Sequence, residues 1–128
     1  MDRLLPGEVD VRTLSPLTLA FVGDGVYELM VRERLACRAN RPNGELHRRS
    51  VETVCATAQA AAADRLLPLL SEGEAAVYRR GRNAHTSRND SDYHKATGLE
   101  ALFGYLYLTG NIARVRELFS AAAGDTME

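Results

Sequence analysis

Three carboxylates stand where an uncompensated charge is expensive. Asp24 and Glu28 are the charges in the fifteen residues from Leu17 to Val31, and Glu100 is the one charge in the fourteen residues from Ala96 to Thr109. Asp24 and Glu28 are four residues apart and share one face if the segment is a helix. A carboxylate in so apolar a stretch needs either an arginine that reaches in or a bound cation. Hard divalent cations such as magnesium are held by one or two carboxylates together with water and the phosphate oxygens of a substrate, so Asp24 and Glu100 suffice for such a site. Both acids are flanked by glycines, Gly23 and Gly25 in the first case and Gly98 and Gly104 in the second. Each costs about 1 kcal/mol relative to Ala inside a helix. Their expected use is close approach of two backbones, which would bring Asp24 beside Glu100.

Charge along the chain is uneven. Residues 1–28 carry a net charge of −3, residues 32–49 of +4, and residues 78–95 of +3. The first basic run includes Arg32, Arg34, Arg38, Arg41, Arg48 and Arg49, and the second includes Arg79, Arg80, Arg82, Arg88 and Lys95. Of the 16 basic residues all but Lys95 are arginine, whose planar fork of donors suits phosphate. Two basic runs beside a pair of acids fit a phosphodiester backbone; solvated helix faces with local ion pairs fit the same charges. His47 adjoins Arg48 and Arg49 and could add a hydrogen bond to phosphate or ribose. His85 and His94, in or near a polar loop, lack the i,i+4 spacing of a metal pair.

The elements that must position these residues are helices. Ser15-Pro16 reads as an N-cap followed by Pro at the first helical position, opening a helix that runs to about Cys37. After a loop through Pro42-Asn43-Gly44, a second long helix is expected from Glu45 through the alanine-rich run 56–63, ending or kinking at Pro68. Ser71 with Glu74 three residues on is a capping-box pattern for a third helix to about Arg82. A polar loop over 83–92 leads to a fourth helix, roughly Tyr93 to Thr109, stopped at Gly110-Asn111, and to a last one from Ile112 to Ala123. No period-2 strand pattern occurs. The expectation is an all-α chain with an arm over residues 1–14, one helical domain over 15–123 and a tail over 124–128.

Composition sets further bounds. A chain of 128 residues with 45% hydrophobic and 26% charged side chains has the make-up of one globular domain. A formal charge of −1 excludes a broadly basic surface, so a polyanion would have to bind a local patch. Two cysteines, Cys37 and Cys55, cannot build a disulfide scaffold or a four-cysteine zinc site. No stretch reaches the roughly 20 apolar residues of a membrane span, and residues 1–10 have no signal-peptide core, so a cytoplasmic location is expected.

Several stretches together resemble a known family. Phe21-Val22-Gly23-Asp24-Gly25-Val26 is similar to the F-L-G-D-A/S-V/I signature of ribonuclease III domains, and Leu99-Glu100-Ala101-Leu102-Phe103-Gly104 to their x-E-A-L-I-G signature. Residues 42–49 (PNGELHRR), 54–60 (VCATAQA) and 74–84 (EAAVYRRGRNA) resemble motifs of its short bacterial branch, the Mini-ribonucleases III. The resemblance covers about residues 15–120. It implies a homodimeric, magnesium-dependent endoribonuclease acting on double-stranded RNA and maturing 23S ribosomal RNA precursor with help from a large-subunit ribosomal protein. It also implies cleavage that leaves 5′-phosphate and 3′-hydroxyl ends.

By the same resemblance Asp24 and Glu100 are the catalytic and metal-binding pair, and Phe21 inserts into the partner subunit. His47, Arg48, Arg49, Arg79, Arg80, Arg82 and Asn83 are the expected RNA contacts, and Glu28 either orients a water near the metal or pairs with an arginine. The chain departs from full ribonuclease III at Ala20, Asn43 and Thr97, which stand where that enzyme has further acids. Fewer ligands imply weaker metal binding that leans on RNA phosphate. A dimeric RNA-binding or ribosome-assembly factor of the same fold, without catalysis, is the competing reading; a binder has no need of acids facing phosphate.

Overall fold

Capping decides where the helices begin. In the computed structural model, which describes residues 3–84 and 90–124, the Ser15 hydroxyl accepts from the Thr18 amide at 3.1 Å and Pro16 opens α1, Pro16–Arg38. Helix α2 spans Asn43–Val54 and α3 spans Ala56–Leu66. A 3-10 turn over Leu67–Leu69 accommodates Pro68. The reciprocal bonds of Ser71 and Glu74, at 2.9 and 3.2 Å, start α4, Glu72–Arg82. Asp90 caps α5, Ser91–Leu108, by accepting from the Asp92 and Tyr93 amides, and Asn111 caps α6, Ile112–Ala123. Between the last two helices Gly110 takes φ +80°, the left-handed conformation that glycine adopts without penalty. No strand forms among the described residues, so the all-α expectation holds.

One expectation fails. The single long helix from Glu45 through the alanine run is two helices, broken at Cys55, whose φ of −66° and ψ of 158° are extended. The residues before the break include the β-branched Val51, Thr53 and Val54, which favour helix weakly. The break lets α3 turn its alanine face, Ala60, Ala62 and Ala63, into the core. His85 and Arg88, part of the expected polar loop, and the tail beyond Gly124 lie outside the described residues.

Helix α5 is the axis of the molecule. It is apolar all round because α1, α3 and α4 each pack on it; Leu99, Ala101, Leu102 and Phe103 are fully buried. Each large side chain buried there contributes about 1.5–3 kcal/mol. Tyr27 of α1 sits edge-on between Phe103 and Phe119, with ring centroids 5.2 and 5.3 Å away. Burial pushes its phenol up to about 12.

Several arginines serve the fold rather than a ligand. Arg114 grips the buried Glu74 through two 2.8 Å bonds and also reaches Glu117, tying α6 to the start of α4. These bonds hold the Glu74 carboxyl below its ordinary range against the opposing effect of burial. Arg65 donates to the Ala122 carbonyl and Arg34 to that of Gly124, covering the negative end of α6. The Arg34 guanidinium also lies 4.7 Å from the centre of the Phe119 ring.

Candidate active site

The acids meet where two glycines let helices touch. Helices α1 and α5 run antiparallel, and Gly23 packs on the Glu100 backbone. A methyl carbon on Gly23 would lie 1.6 Å from the Glu100 carbonyl oxygen, and one on Gly104 would lie 1.9 Å from that of Leu19. The expected close approach is thus made by Gly23 and Gly104. Gly98 instead faces Tyr78 of α4, and Gly25 faces open space. Asp24, one residue after the crossing, reaches the Glu100 carboxyl, which can donate a hydrogen bond to it when protonated.

That contact has an electrostatic signature. The Glu100 carboxyl is raised to about 8, first by burial and then by the negative charge of Asp24 and a hydrogen bond shared with it, while a hydrogen bond from Gln59 opposes them. Among the described residues no arginine or lysine forms an ion pair with either acid. Of the two compensations left open by the sequence, the described residues therefore supply no arginine. A hard divalent cation fits the donor set: two carboxylate side chains in contact, Asp24 exposed and Glu100 partly buried, with excess negative charge. No cluster of three or more His, Cys, Asp or Glu ligands forms among the described residues, so the protein would supply two ligands and leave the other positions to water and substrate oxygens.

Glu28, one turn beyond Asp24, is engaged by Arg32 at 2.5 Å. Ala20 is buried, and the Thr97 hydroxyl bonds its own helix at the Tyr93 carbonyl. Neither therefore replaces the acid of full ribonuclease III.

The basic residues form two groups. Arg32, Asn43, His47 and Ser50 line a groove of about 420 Å³ between α1 and α2. Through Arg32 this groove adjoins the turn that carries Asp24 and Glu28. On α2, Arg48 pairs with Glu52 at 3.5 Å and Arg49 with Glu45 at 3.0 Å. Such i,i+4 pairs are worth only about 0.3–0.5 kcal/mol and exchange readily for phosphate. On α4, Arg79 and Arg80 are exposed, with no acidic partner among the described residues, and with Asn83 they line a shallow groove of about 520 Å³. Arg82 lies 5.9 Å from the Tyr78 ring and donates to the Asn83 side chain. His94 is half-buried on α5, edge-on to Tyr93.

Phe21 stands 81% exposed on α1, with Leu17 and Leu29 also exposed. Sequence reasoning quoted Gln59 within the 54–60 motif but gave it no role; it is 2% exposed and its side chain lies against the Glu100 carboxyl. The available signal was a polar residue inside an alanine run.

Comparison with known proteins agrees with this geometry. Residues 17–111 match the Ribonuclease III domain. Mini-ribonuclease 3 of Symbiobacterium thermophilum is 49% identical over 116 residues, covering 87% of this chain and 89% of that one. Mini-ribonuclease 3 of a Thermoanaerobacter species is 43% identical, covering 84% of this chain and 80% of its own. A crystal structure of a protein from Fusobacterium nucleatum superposes with a TM-score of 0.79 at 26% identity, covering 89% of this chain and 96% of that one. Among the described residues no helix is long and apolar enough to cross a membrane. The chain belongs to the ribonuclease III family of endoribonucleases, on its Mini-ribonuclease 3 branch.

Proposed function

We propose that the protein is a magnesium-dependent, homodimeric endoribonuclease that cuts double-stranded RNA in the cytoplasm. Its proposed substrate is the paired ends of 23S ribosomal RNA precursor, presented with a large-subunit ribosomal protein. The observation that carries this reading is the contact of Asp24 with Glu100, two acids with no cationic partner among the described residues, held by helix crossing rather than by surface chance.

Asp24 and Glu100 would hold the magnesium. Magnesium bound there would supply Lewis-acid polarisation of the scissile phosphate and a more acidic attacking water. The side chains of the chain itself divide the remaining work. The Asp24 and Glu100 carboxylates would fix where that ion sits between α1 and α5, and the cationic side chains around them do the rest. Arg79, Arg80, Arg82 and Asn83 on one side, and His47, Arg48 and Arg49 on the other, hold the RNA backbone. A-form RNA offers mainly phosphates, 2′-hydroxyls and shape, so sequence preference is modest. Glu28, held by Arg32, orients the Arg32 guanidinium toward the groove that His47 lines.

A second copy covers the apolar face around Phe21. An aromatic ring 81% exposed beside Leu17 and Leu29 is costly in water. A groove of about 750 Å³ along α1 and α6, lined by Val22, Val26, Met30, Ile112 and Phe119 among others, offers a ring an apolar seat. A two-fold interface places the same patch on both subunits.

Purified protein is expected to sediment as a dimer and to cut a long perfect RNA duplex with magnesium, leaving 5′-phosphate and 3′-hydroxyl ends, and to stop when a chelator is added. If both a bare duplex and precursor bound to its ribosomal protein stay intact with magnesium present, the reading is wrong. Replacing Arg79 by Ala is expected to weaken duplex binding evenly across sequences. It should also flatten the salt dependence by about one unit of log–log slope. An unchanged slope removes Arg79 from the RNA footprint.

A further inference from the structure

Gln59 is a polar side chain in the most apolar part of α3, and its surroundings leave it one task. It is 2% exposed, with the buried alanines Ala60, Ala62 and Ala63 close behind it. Burying an amide costs about 1–3 kcal/mol unless it is hydrogen-bonded, and an alanine or leucine would fill an apolar seam at no such cost. Its partner is the Glu100 carboxyl. The contact is held by the way α3 lies on α5. The two helices run antiparallel, and the Lys95 ammonium bonds both oxygens of Asp64 at 3.1 and 3.2 Å further along the same seam. Five residues separate Gln59 from Asp64 on one helix and Lys95 from Glu100 on the other. The ion pair therefore keys the register that sets Gln59 against Glu100.

A carboxylate has two oxygens and free rotation about its last bond. In a site with only two protein ligands, each misdirected oxygen removes a large share of the metal's coordination. An amide N–H donated to one Glu100 oxygen leaves the other aimed away from α3, toward Asp24. We propose that Gln59 is a positioning residue, the buried amide that orients the Glu100 carboxylate for divalent-ion binding. This rests on the assignment of Asp24 and Glu100 as the metal pair. Gln59 touches neither metal nor RNA and acts through Glu100 alone.

The test is a titration of the purified dimer with manganese, following free ion by electron paramagnetic resonance, alongside single-turnover duplex cleavage at varied magnesium. Gln59→Met keeps the length of the side chain and removes the amide. It is expected to weaken manganese binding five- to twenty-fold and to raise the magnesium needed for half-maximal cleavage by a similar factor. Duplex binding in chelator should stay within two-fold of wild type, because the RNA contacts are elsewhere.

If folded Gln59→Met binds manganese within two-fold of wild type, Gln59 is a packing residue and the inference is overturned. If Gln59→Met does not fold, Gln59→Asn carries the same titration: it retains an amide but withdraws it by one methylene, and unchanged manganese affinity would again overturn the inference. Wild-type protein whose manganese binding is indifferent to Glu100→Gln would instead overturn the metal assignment itself, a separate failure.

Discussion

Glu100→Gln is expected to lose at least about a thousand-fold in duplex cleavage, equivalent to about 4 kcal/mol of transition-state stabilisation, while making the metal-free fold more stable at neutral to alkaline pH. Both halves follow from one cause. The carboxyl is forced close to Asp24 in a half-buried seam, and its proton affinity is raised to about 8 from an ordinary value of 4.5. Burial is the largest contributor, followed by the charge of Asp24.

Between those two pH values the folded chain holds a proton that the unfolded chain has released. The contribution of this group to stability is therefore complete below about pH 4.5 and is lost as pH rises through about 8. Glutamine has no such loss. In chelator at pH 8 the variant should exceed wild type on the order of 2 kcal/mol, a figure reduced for the water that reaches the site. At pH 5 the two should nearly coincide. Thermal melts across this range, paired with a cleavage assay, read both effects. A variant that still cuts would remove Glu100 from the chemistry. One that melts lower than wild type at pH 8 would show that its carboxylate stabilises the fold. Asp24→Asn should lose cleavage to the same extent and keep duplex binding.

The second large effect is steric. Gly23→Ala and Gly104→Ala each place a methyl carbon within 2 Å of a carbonyl oxygen on the opposing helix, at 1.6 and 1.9 Å. Neither neighbour is a flexible side chain that can swing away, so α1 and α5 must separate. Those helices share the largest part of the core around Tyr27, Leu99 and Phe103. A loss of more than about 4 kcal/mol is expected for each, with no cooperative melt or no soluble protein.

Gly25→Ala is the internal control. It points into open space on the same helix and should gain up to about 1 kcal/mol from helix propensity. Should the extra methyl instead lower the sedimenting mass, Gly25 would lie in the proposed subunit interface. A Gly23→Ala protein that melts within a few degrees of wild type would mean that the helices cross elsewhere.

Much of the helical framework can be read locally. Ser15-Pro16, Ser71 with Glu74, and Gly110-Asn111 each mark a boundary through bonds within one turn, and the structure uses all three. The break at Cys55 could not be read this way. No Gly or Pro marks it, and an alanine run beyond it favours continued helix; what decides it is the gain from turning α3 onto α5, a tertiary term that overrides propensity. The arginines show the same limit. Their abundance suits phosphate, yet Arg34, Arg65 and Arg114 are spent on helix ends and a buried acid, while Arg79 and Arg80 remain exposed.

Residue types and spacing alone pointed to the all-helical architecture and to the acids set in apolar helices, and the two signatures around Asp24 and Glu100 carried the resemblance to the family. Side chains within four residues on one helix are placed by helix geometry itself, so capping and amphipathic faces are legible in order along the chain. Which distant residues touch is set by how helices cross. That depends on the fit of whole surfaces, here the bare backbones at Gly23 and Gly104. Only that crossing puts Asp24 against Glu100, and only the antiparallel seam of α3 on α5 turns Gln59, a motif residue to which the sequence assigned no role, into the neighbour of the second acid.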